Sequence, residues 1–367
     1  MHRGGLPPTR TSIKKDKTVK TGLSLNELAA KITSQSEAKN DYIADTRQLQ
    51  VIGDQLVVED QGAFDLTNHA QGQIATYTGI PRRYYDRMRA DAPALLTRNV
   101  EEWFQREPKR RMVRTMETNA RAFLSEKYRA LDNEELAEAV LPVLFEKDVD
   151  VISSEITETR MYIKVVDRKL RGRVDWGEGH NFGRAADDEI IWGAVISNSE
   201  VGAGSLQVST MTLSSWCSNL MVVGKEFRKY HVGRAVDVTG EYYRDETRIA
   251  DDRATFLKLR DTVDHALTEV AMQDTLDKYS LAAGRKIEND PVKAVEKVSK
   301  ILRVSDEEQG SILRHLVEGG SLNQWSLANA VTRTAEDSKT YDRATELEAL
   351  GMNVVDLTAS QWKVVAA

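Results

Sequence analysis

Apolar positions begin to recur at helical spacing near residue 24. Ser24 and Glu27 form a capping box, and Leu25, Leu28, Ala29 and Ile32 follow on one face, which predicts a helix. Residues 42–59 predict a pair of strands turning at Gly53-Asp54, between runs ending in Val51-Ile52 and resuming at Leu56-Val57-Val58. A helical pattern over 67–77 stops at Thr78-Gly79, and Pro81 opens a second helix that runs to about residue 89. Strands are predicted at 112–115 and 120–124. Asp132 then caps a helix over 133–144 with Glu135 in its first turn. Further strands are expected at 150–153, 160–166, 190–197 and 206–213. From residue 251 the period becomes helical: Phe256, Leu259, Val263, Ala266 and Val270 share one face. Helices follow at 291–302, at 305–316 with the capping box Ser305/Glu308, at 322–334 and at 341–350.

Strands precede helices in this order, which favours an α+β fold over repeating βαβ units: an antiparallel or mixed sheet core with packed helices and a helical C-terminal part. The chain of 367 residues has room for more than one core. We expect a disordered basic arm over 1–22, an α+β core over 23–250 and a helical region over 251–367. The arm is expected because Gly4, Gly5, Pro7 and Pro8 stand among basic and hydroxyl residues with no apolar period. Residues 172–188, rich in Gly, Asp and Asn, read as an exposed loop. No internal repeat is present.

Composition narrows the class. Hydrophobic residues make up 41% of the chain and charged residues 29%, ordinary values for a water-soluble globule. No run approaches the roughly 18 apolar residues of a membrane span, and the basic N-terminus lacks the apolar segment of a secretory signal. A cytoplasmic protein with no membrane partner is expected. Cys217 is the single cysteine, which excludes an internal disulfide framework and a Cys-rich zinc site. The net charge of −6 hides an asymmetry, because residues 80–129 hold thirteen Lys/Arg against seven Asp/Glu. The first twenty residues add Arg3, Arg10, Lys14, Lys15, Lys17 and Lys20 against Asp16 alone.

Candidate chemistry concentrates in the basic stretch. Arg106-Glu107-Pro108-Lys109-Arg110-Arg111-Met112-Val113-Arg114 follows Trp103-Phe104, and Pro81-Arg82-Arg83-Tyr84-Tyr85-Asp86-Arg87 lies upstream. Single-stranded nucleic acid needs cations to neutralise phosphates and flat rings to stack on unpaired bases. The two helices joined at Thr78-Gly79-Ile80 also resemble a helix-turn-helix, with Arg82, Arg83, Arg87 and Arg89 on the second helix. The alternative for such residues is a solvated helix face and an Arg-rich edge strand. His2, His69, His180, His231, His265 and His315 show no metal-ligand spacing. His69, with Asp65 and the pair Asp187-Asp188, is the best set for an enzymatic role if folding brings them together. Asp187-Asp188-Glu189 reads as a solvated loop, since adjacent strand residues point to opposite faces. Gly202-Ala203-Gly204 lacks the spacing of a phosphate loop. Residues 196–208 read as a hairpin with a polar turn, Ser197 and Ser199 have no histidine nearby in sequence, and Cys217 reads as a buried free cysteine. No cofactor and no small-molecule substrate are expected.

Several of these pieces, in this order, resemble the phage/plasmid-like proteins of the domain of unknown function 932 family. The resemblance is carried by Leu66-Thr67-Asn68-His69-Ala70-Gln71-Gly72-Gln73, Gly79-Ile80-Pro81 and Tyr84-Tyr85, then by Arg121-Ala122-Phe123-Leu124-Ser125 and Tyr128-Arg129-Ala130-Leu131-Asp132-Asn133. It continues through Ile196-Ser197-Asn198-Ser199-Glu200-Val201-Gly202, Cys217-Ser218-Asn219, Leu327-Ala328-Asn329-Ala330-Val331-Thr332 and Arg343-Ala344-Thr345-Glu346-Leu347-Glu348. It spans about residues 65–350. Leu220 departs from it, where family members often carry Gly. The resemblance implies an origin on phages, prophages or plasmids, among genes for replication, recombination or defence evasion, and it brings no assigned catalytic residue.

The expectation that follows is a nucleic-acid-binding protein, a homo-oligomeric single-strand DNA-binding or annealing factor rather than an enzyme. Arg82, Arg83, Arg87, Lys109, Arg110, Arg111, Arg114 and Arg121 would meet phosphates, and Tyr84, Tyr85 and Trp103 would stack on bases. The alternatives are a nucleic-acid-processing enzyme and a module that engages a host defence protein through the C-terminal helices.

Overall fold

The computed structural model describes residues 22–174, 189–214, 220–231 and 245–367. The basic arm, Asp187, Asp188 and Cys217 lie outside the described residues, as does most of the expected loop over 172–188. Helix α1 (Leu25–Ala38) starts at the expected capping box, with Ser24 accepting the Glu27 amide and Glu27 accepting the Ser24 amide. Strands β1 (Lys39–Asp45), β2 (Leu49–Ile52), β3 (Gln55–Val58) and β4 (Gly62–Leu66) follow. Then come helices α2 (Asn68–Thr78), α3 (Arg82–Asp91) and α4 (Pro93–Arg106), and strands β5 (Arg110–Met116) and β6 (Asn119–Ser125). The strands form a six-stranded sheet in the order β1-β5-β6-β4-β3-β2. Its neighbours are antiparallel except β4 and β6, which run parallel.

Helices α2 to α4 cover the apolar face of this sheet, where Ile74, Tyr85, Leu96 and Phe104 pack with Leu56 and Phe123. The sequence reading missed α4, although Leu96, Val100 and Phe104 recur every four residues and Pro93 stands at the first helical position, where its missing N–H is harmless. Gly79 ends α2 in the left-handed conformation, φ 69°, which lets its N–H reach back to the carbonyls of Ala75 and Thr76.

The second layer begins with α5 (Asn133–Glu146), started by Asp132 and Glu135 as expected. Strands β7 (Asp150–Ile156), β8 (Met161–Arg173), β9 (Glu189–Asn198), β10 (Leu206–Ser214) and β11 (Leu220–Lys229) form an antiparallel sheet in the order β11-β10-β9-β8-β7. Six consecutive residues of β8, Met161 to Val166, are buried. Alternation disappears there because both faces of the sheet are covered. Ile163, Val165, Ala194 and Ile196 pack against α1, α5 and α6 (Asp245–Ala266). Tyr162, Val166, Ile191 and Val195 meet Tyr341 and Ala349 of α11 (Tyr341–Val355) on the opposite face. Trp192 and Met221 carry the first face into a helical cluster of α7 (Glu269–Gly284), α8 (Pro291–Leu302), α9 (Asp306–Glu318), α10 (Gln324–Arg333) and α12 (Ala359–Ala366). The arrangement is α+β with a C-terminal helical part. Among the described residues no helix is long and apolar enough to cross a membrane.

One expected helical face is corrected. Helix α6 stops at Ala266, whose carbonyl accepts a 2.8 Å hydrogen bond from the buried Trp192 indole, and Val270 lies beyond the break with 79% of its surface exposed. A second fixing point joins α11 to the sheet. Lys164 on β8 is 2% exposed, donates to Glu348 Oε2 at 2.6 Å and lies 4.6 Å from the centre of the Tyr341 ring. Removing one member of a buried pair leaves an uncompensated charge and costs about 3–5 kcal/mol. Glu348→Ala is therefore expected to lower unfolding free energy by about that amount. The double variant Lys164→Met with Glu348→Met is expected to recover most of it in urea denaturation.

Candidate nucleic-acid interface and the buried ionic hub

The structure sorts the candidate cations into three groups. Arg83 and Lys109 are exposed and have no carboxylate within ion-pair distance among the described residues. Arg82, Arg87 and Arg110 lie at the surface beside acids of their own chain: Asp86 at 2.9 Å, Asp91 at 3.8 Å and Glu126 at 3.4 Å. Arg82 is further tied to the Asn68 carbonyl, and Arg89 to the Gln71 amide, so the α2–α3 corner turns half of its arginines inward. Arg111 is half-buried between rings, its guanidinium carbon 4.9 Å from the centre of Tyr77 and 4.7 Å from that of Phe123. Burial lowers its pKa from the ordinary value.

Arg114, Arg121 and Tyr85 are corrections to the expected interface, because all three are buried and none belongs to the exposed α3–α4 surface. Tyr85 is 0% exposed in the core beneath α3, and burial pushes its hydroxyl up to about 12. Arg114 is 1% exposed and Arg121 9%. Tyr84 and Trp103, at 46% and 36% exposed, remain available as stacking surfaces. The Tyr77 hydroxyl donates to the Glu107 carbonyl, which fixes the end of α2 on the end of α4, and the Lys109 ammonium lies 5.8 Å from the centre of the Tyr77 ring.

The two buried arginines belong to an ionic hub that joins the sheets. Arg114 donates to Asp41 at 2.8 Å, to both oxygens of Asp132 at 2.9 Å and to the Glu200 carbonyl at 2.8 Å. Arg121 donates to Glu200 Oε2 at 2.8 Å, and Lys39 reaches Asp132 at 2.7 Å and Glu200 at 3.4 Å. Three cations thus face three carboxylates. The Asn133 amide, freed at the start of α5, adds a hydrogen bond to Glu200 at 2.9 Å. Burial raises the pKa of Asp132, but the Arg114 hydrogen bonds and charge outweigh it and hold the group at about 2. The same opposition, with Arg121 and Lys39 prevailing, keeps Glu200 below its ordinary value.

Glu200 sits in the turn between β9 and β10, and this turn gathers the segments singled out in the sequence. His69 Nε2 and Gln73 Nε2 both reach the Val201 carbonyl, at 2.9 and 2.8 Å. The Tyr128 hydroxyl donates to the Ser199 carbonyl, and Asn198 Nδ2 donates to the Leu131 carbonyl and to Asn133 Oδ1. Gly202 has φ 79°, and a Cβ there would meet the Leu124 side chain at 2.7 Å, so a larger residue would be strained and would displace Leu124. Reading the turn as polar was right. Its burial, with Ser199 at 0% and Glu200 at 6% exposed, was not foreseen, because no local pattern marks a hairpin turn as interior.

His69 and Asp65 are not brought together as an acid–base pair. Asp65 is exposed and accepts from Gln55, whereas His69 serves the 198–202 turn and its amide donates to Glu158. Among the described residues no group of three His, Cys, Asp or Glu side chains is placed to hold a metal ion. Beside the hub a cleft of about 450 Å³ opens between α1, the β5–β6 turn, the β7–β8 turn and the 198–202 turn. Arg121 and Glu200 form part of its wall, with Lys31, Glu117, Glu158 and Arg160.

No family model, no curated protein and no solved structure matches the chain.

The hub has a definite acid response. A carboxylate whose folded pKa lies below its unfolded value stabilises the protein above the unfolded pKa, and that contribution is lost as pH falls through the folded one. For Asp132 the window lies between its ordinary 3.8 and about 2. Denaturation free energies measured across this range should fall in the native protein. Asp132→Asn should be less stable near neutral pH and show a shallower fall over the same interval.

Proposed function

We propose that this is a cytoplasmic, phage- or plasmid-borne protein that binds single-stranded nucleic acid, acting as a homo-oligomeric annealing factor. The observation that carries the reading is the surface left once the buried residues are removed. Arg83, Tyr84 and Arg87 project from α3, Trp103 from the last turn of α4, and Lys109 and Arg110 from the entry to β5. The Tyr77–Glu107 bond holds the ends of α2 and α4 together. Tyr77 and Arg83 are six residues apart across the α2–α3 corner, so they lie within roughly 20 Å, the reach of six residues at full extension.

Ion pairing at the rim does not remove Arg87 and Arg110 from this surface. The Arg87–Asp91 pair is 78% and 71% exposed at 3.8 Å, and Arg110 is 61% exposed beside Glu126. Exposed pairs of this kind contribute about 0–1 kcal/mol, so a phosphate can take the cation from its acid. Arg114 and Arg121 are held by short buried bonds and stay in the hub. The origin on mobile elements rests on the family resemblance, and binding without nucleotide hydrolysis agrees with the lack of a phosphate-loop pattern.

Three or four phosphate contacts give a modest salt slope, about −0.7 per contact on a single strand, or roughly −2 to −3 in total. Mobility shift of a single-stranded oligonucleotide at several salt concentrations should show this slope. Arg83→Glu combined with Lys109→Glu should weaken binding roughly tenfold or more at low salt. Trp103→Ala should weaken it at least roughly fivefold through lost stacking. An affinity indifferent to salt, or to both variants, overturns the proposal.

A further inference from the structure

The cleft beside the hub contains polar groups that the hub does not use. Arg121 is 9% exposed, and its guanidinium makes one strong bond, from Nη2 to Glu200. Its Nη1 has only the Met116 sulfur at 3.9 Å, and its buried Nε has no acceptor. Buried donors are almost always satisfied in folded proteins, and the weakly used Nη1 is the donor on which an acceptor binding from the cleft would act. Arg160, which also lines the cleft, donates to the Ala203 carbonyl, interacts with the Tyr162 hydroxyl and has no carboxylate within ion-pair distance among the described residues. Two arginines therefore line one cavity.

Acids face the same space. Glu117, held at φ 51° in the β5–β6 turn, and Glu158, which accepts only the His69 amide, are both exposed and lack an ion-pair partner among the described residues. Counting Lys31, Arg121 and Arg160 against Glu117, Glu158 and Glu200, the wall is neutral. A bare anion gains from the arginines and loses to the carboxylates. A ligand with an anionic group at one end and N–H or O–H donors at the other satisfies both. Carboxylates commonly accept from ribose hydroxyls and from base amines, and guanidinium groups grip phosphate. The volume of about 450 Å³ falls within the range of small-molecule sites.

We propose that this cleft binds a single nucleotide unit, with its phosphate on Arg121 and Arg160 and its sugar or base donors on Glu117 and Glu158. The unit is either a free nucleoside 5′-monophosphate or the terminal nucleotide of a strand. The site is distinct from the α3–α4 surface and does not depend on strand binding there.

Calorimetric titration of the full chain with the nucleoside 5′-monophosphates, with a 5′-phosphorylated oligonucleotide and with inorganic phosphate tests this. At least one monophosphate, or the phosphorylated oligonucleotide, is expected to bind saturably. Inorganic phosphate should bind roughly tenfold more weakly or worse, since it leaves the carboxylates opposed. Saturation by the monophosphate assigns the site to free nucleotides, and saturation by the oligonucleotide alone assigns it to strand ends. Arg160→Ala, which leaves the hub intact, should weaken that binding roughly tenfold or more, and Glu117→Gln should weaken it less. Unfolding transitions of both variants establish that they fold. The Arg83→Glu, Lys109→Glu protein should keep the calorimetric binding of the monophosphate even where it loses strands, which separates this proposal from the previous one. If neither nucleotide ligand saturates the folded protein, if inorganic phosphate binds as well as the nucleotide, or if Arg160→Ala changes nothing, the cleft is not a nucleotide site.

Discussion

The two sheets are joined by charge as well as by hydrocarbon. Arg114 on the first sheet meets Asp132 at the start of α5 and the backbone of Glu200 between β9 and β10, and Arg121 and Lys39 complete the neutralisation. Such a cluster is a weak source of net stability, because desolvating six charges offsets most of their attraction. Its consequence is geometric. Each guanidinium bond fixes direction as well as distance, so the first sheet is held in one orientation against the second. The cleft owes its shape to that constraint, since its walls come from both layers. So does the α3–α4 surface, because drawing Arg114 and Arg121 inward leaves Arg83, Lys109 and the rim arginines as the cations presented outward.

Local order was legible where the signal and its partner lie within four residues. The capping boxes at Ser24/Glu27, Asp132/Glu135 and Ser305/Glu308 each set a helix start, and Gly79 with Pro81 set the α2–α3 corner. Helix α4 escaped notice because Trp103-Phe104 was read with the basic run that follows. Strand β4 is short and begins at Gly62, and β11 is defined by its pairing with β10 more than by its own composition. Helix α12 was not anticipated.

The charged residues were legible in kind and not in location. Arg110, Arg111 and Arg114 look alike in the sequence, yet one is at the surface, one lies between aromatic rings and one is buried among carboxylates. What separates them is distant along the chain: Asp41 stands 73 residues from Arg114, and Glu200 stands 79 from Arg121. A run of cations establishes how much positive charge a segment carries. Whether that charge is spent internally depends on acids that only the fold brings near. The same distance hid the cleft, whose arginines and carboxylates come from three separate parts of the chain.

The parallel pairing of β4 with β6 bears on how the chain is made. Their registered residues, Asp65 with Asn119 and Leu66 with Ala120, are separated by three helices and β5. A nascent chain emerging from the ribosome therefore cannot close its first sheet until β6 has left the exit tunnel. By then Arg114 and Arg121 are already placed in strands, while Glu200 is still unsynthesised. During that interval Arg114 has Asp41 of β1 beside it, but Arg121 faces solvent or a chaperone without its carboxylate, and the half-made protein carries more accessible positive charge there than the finished one.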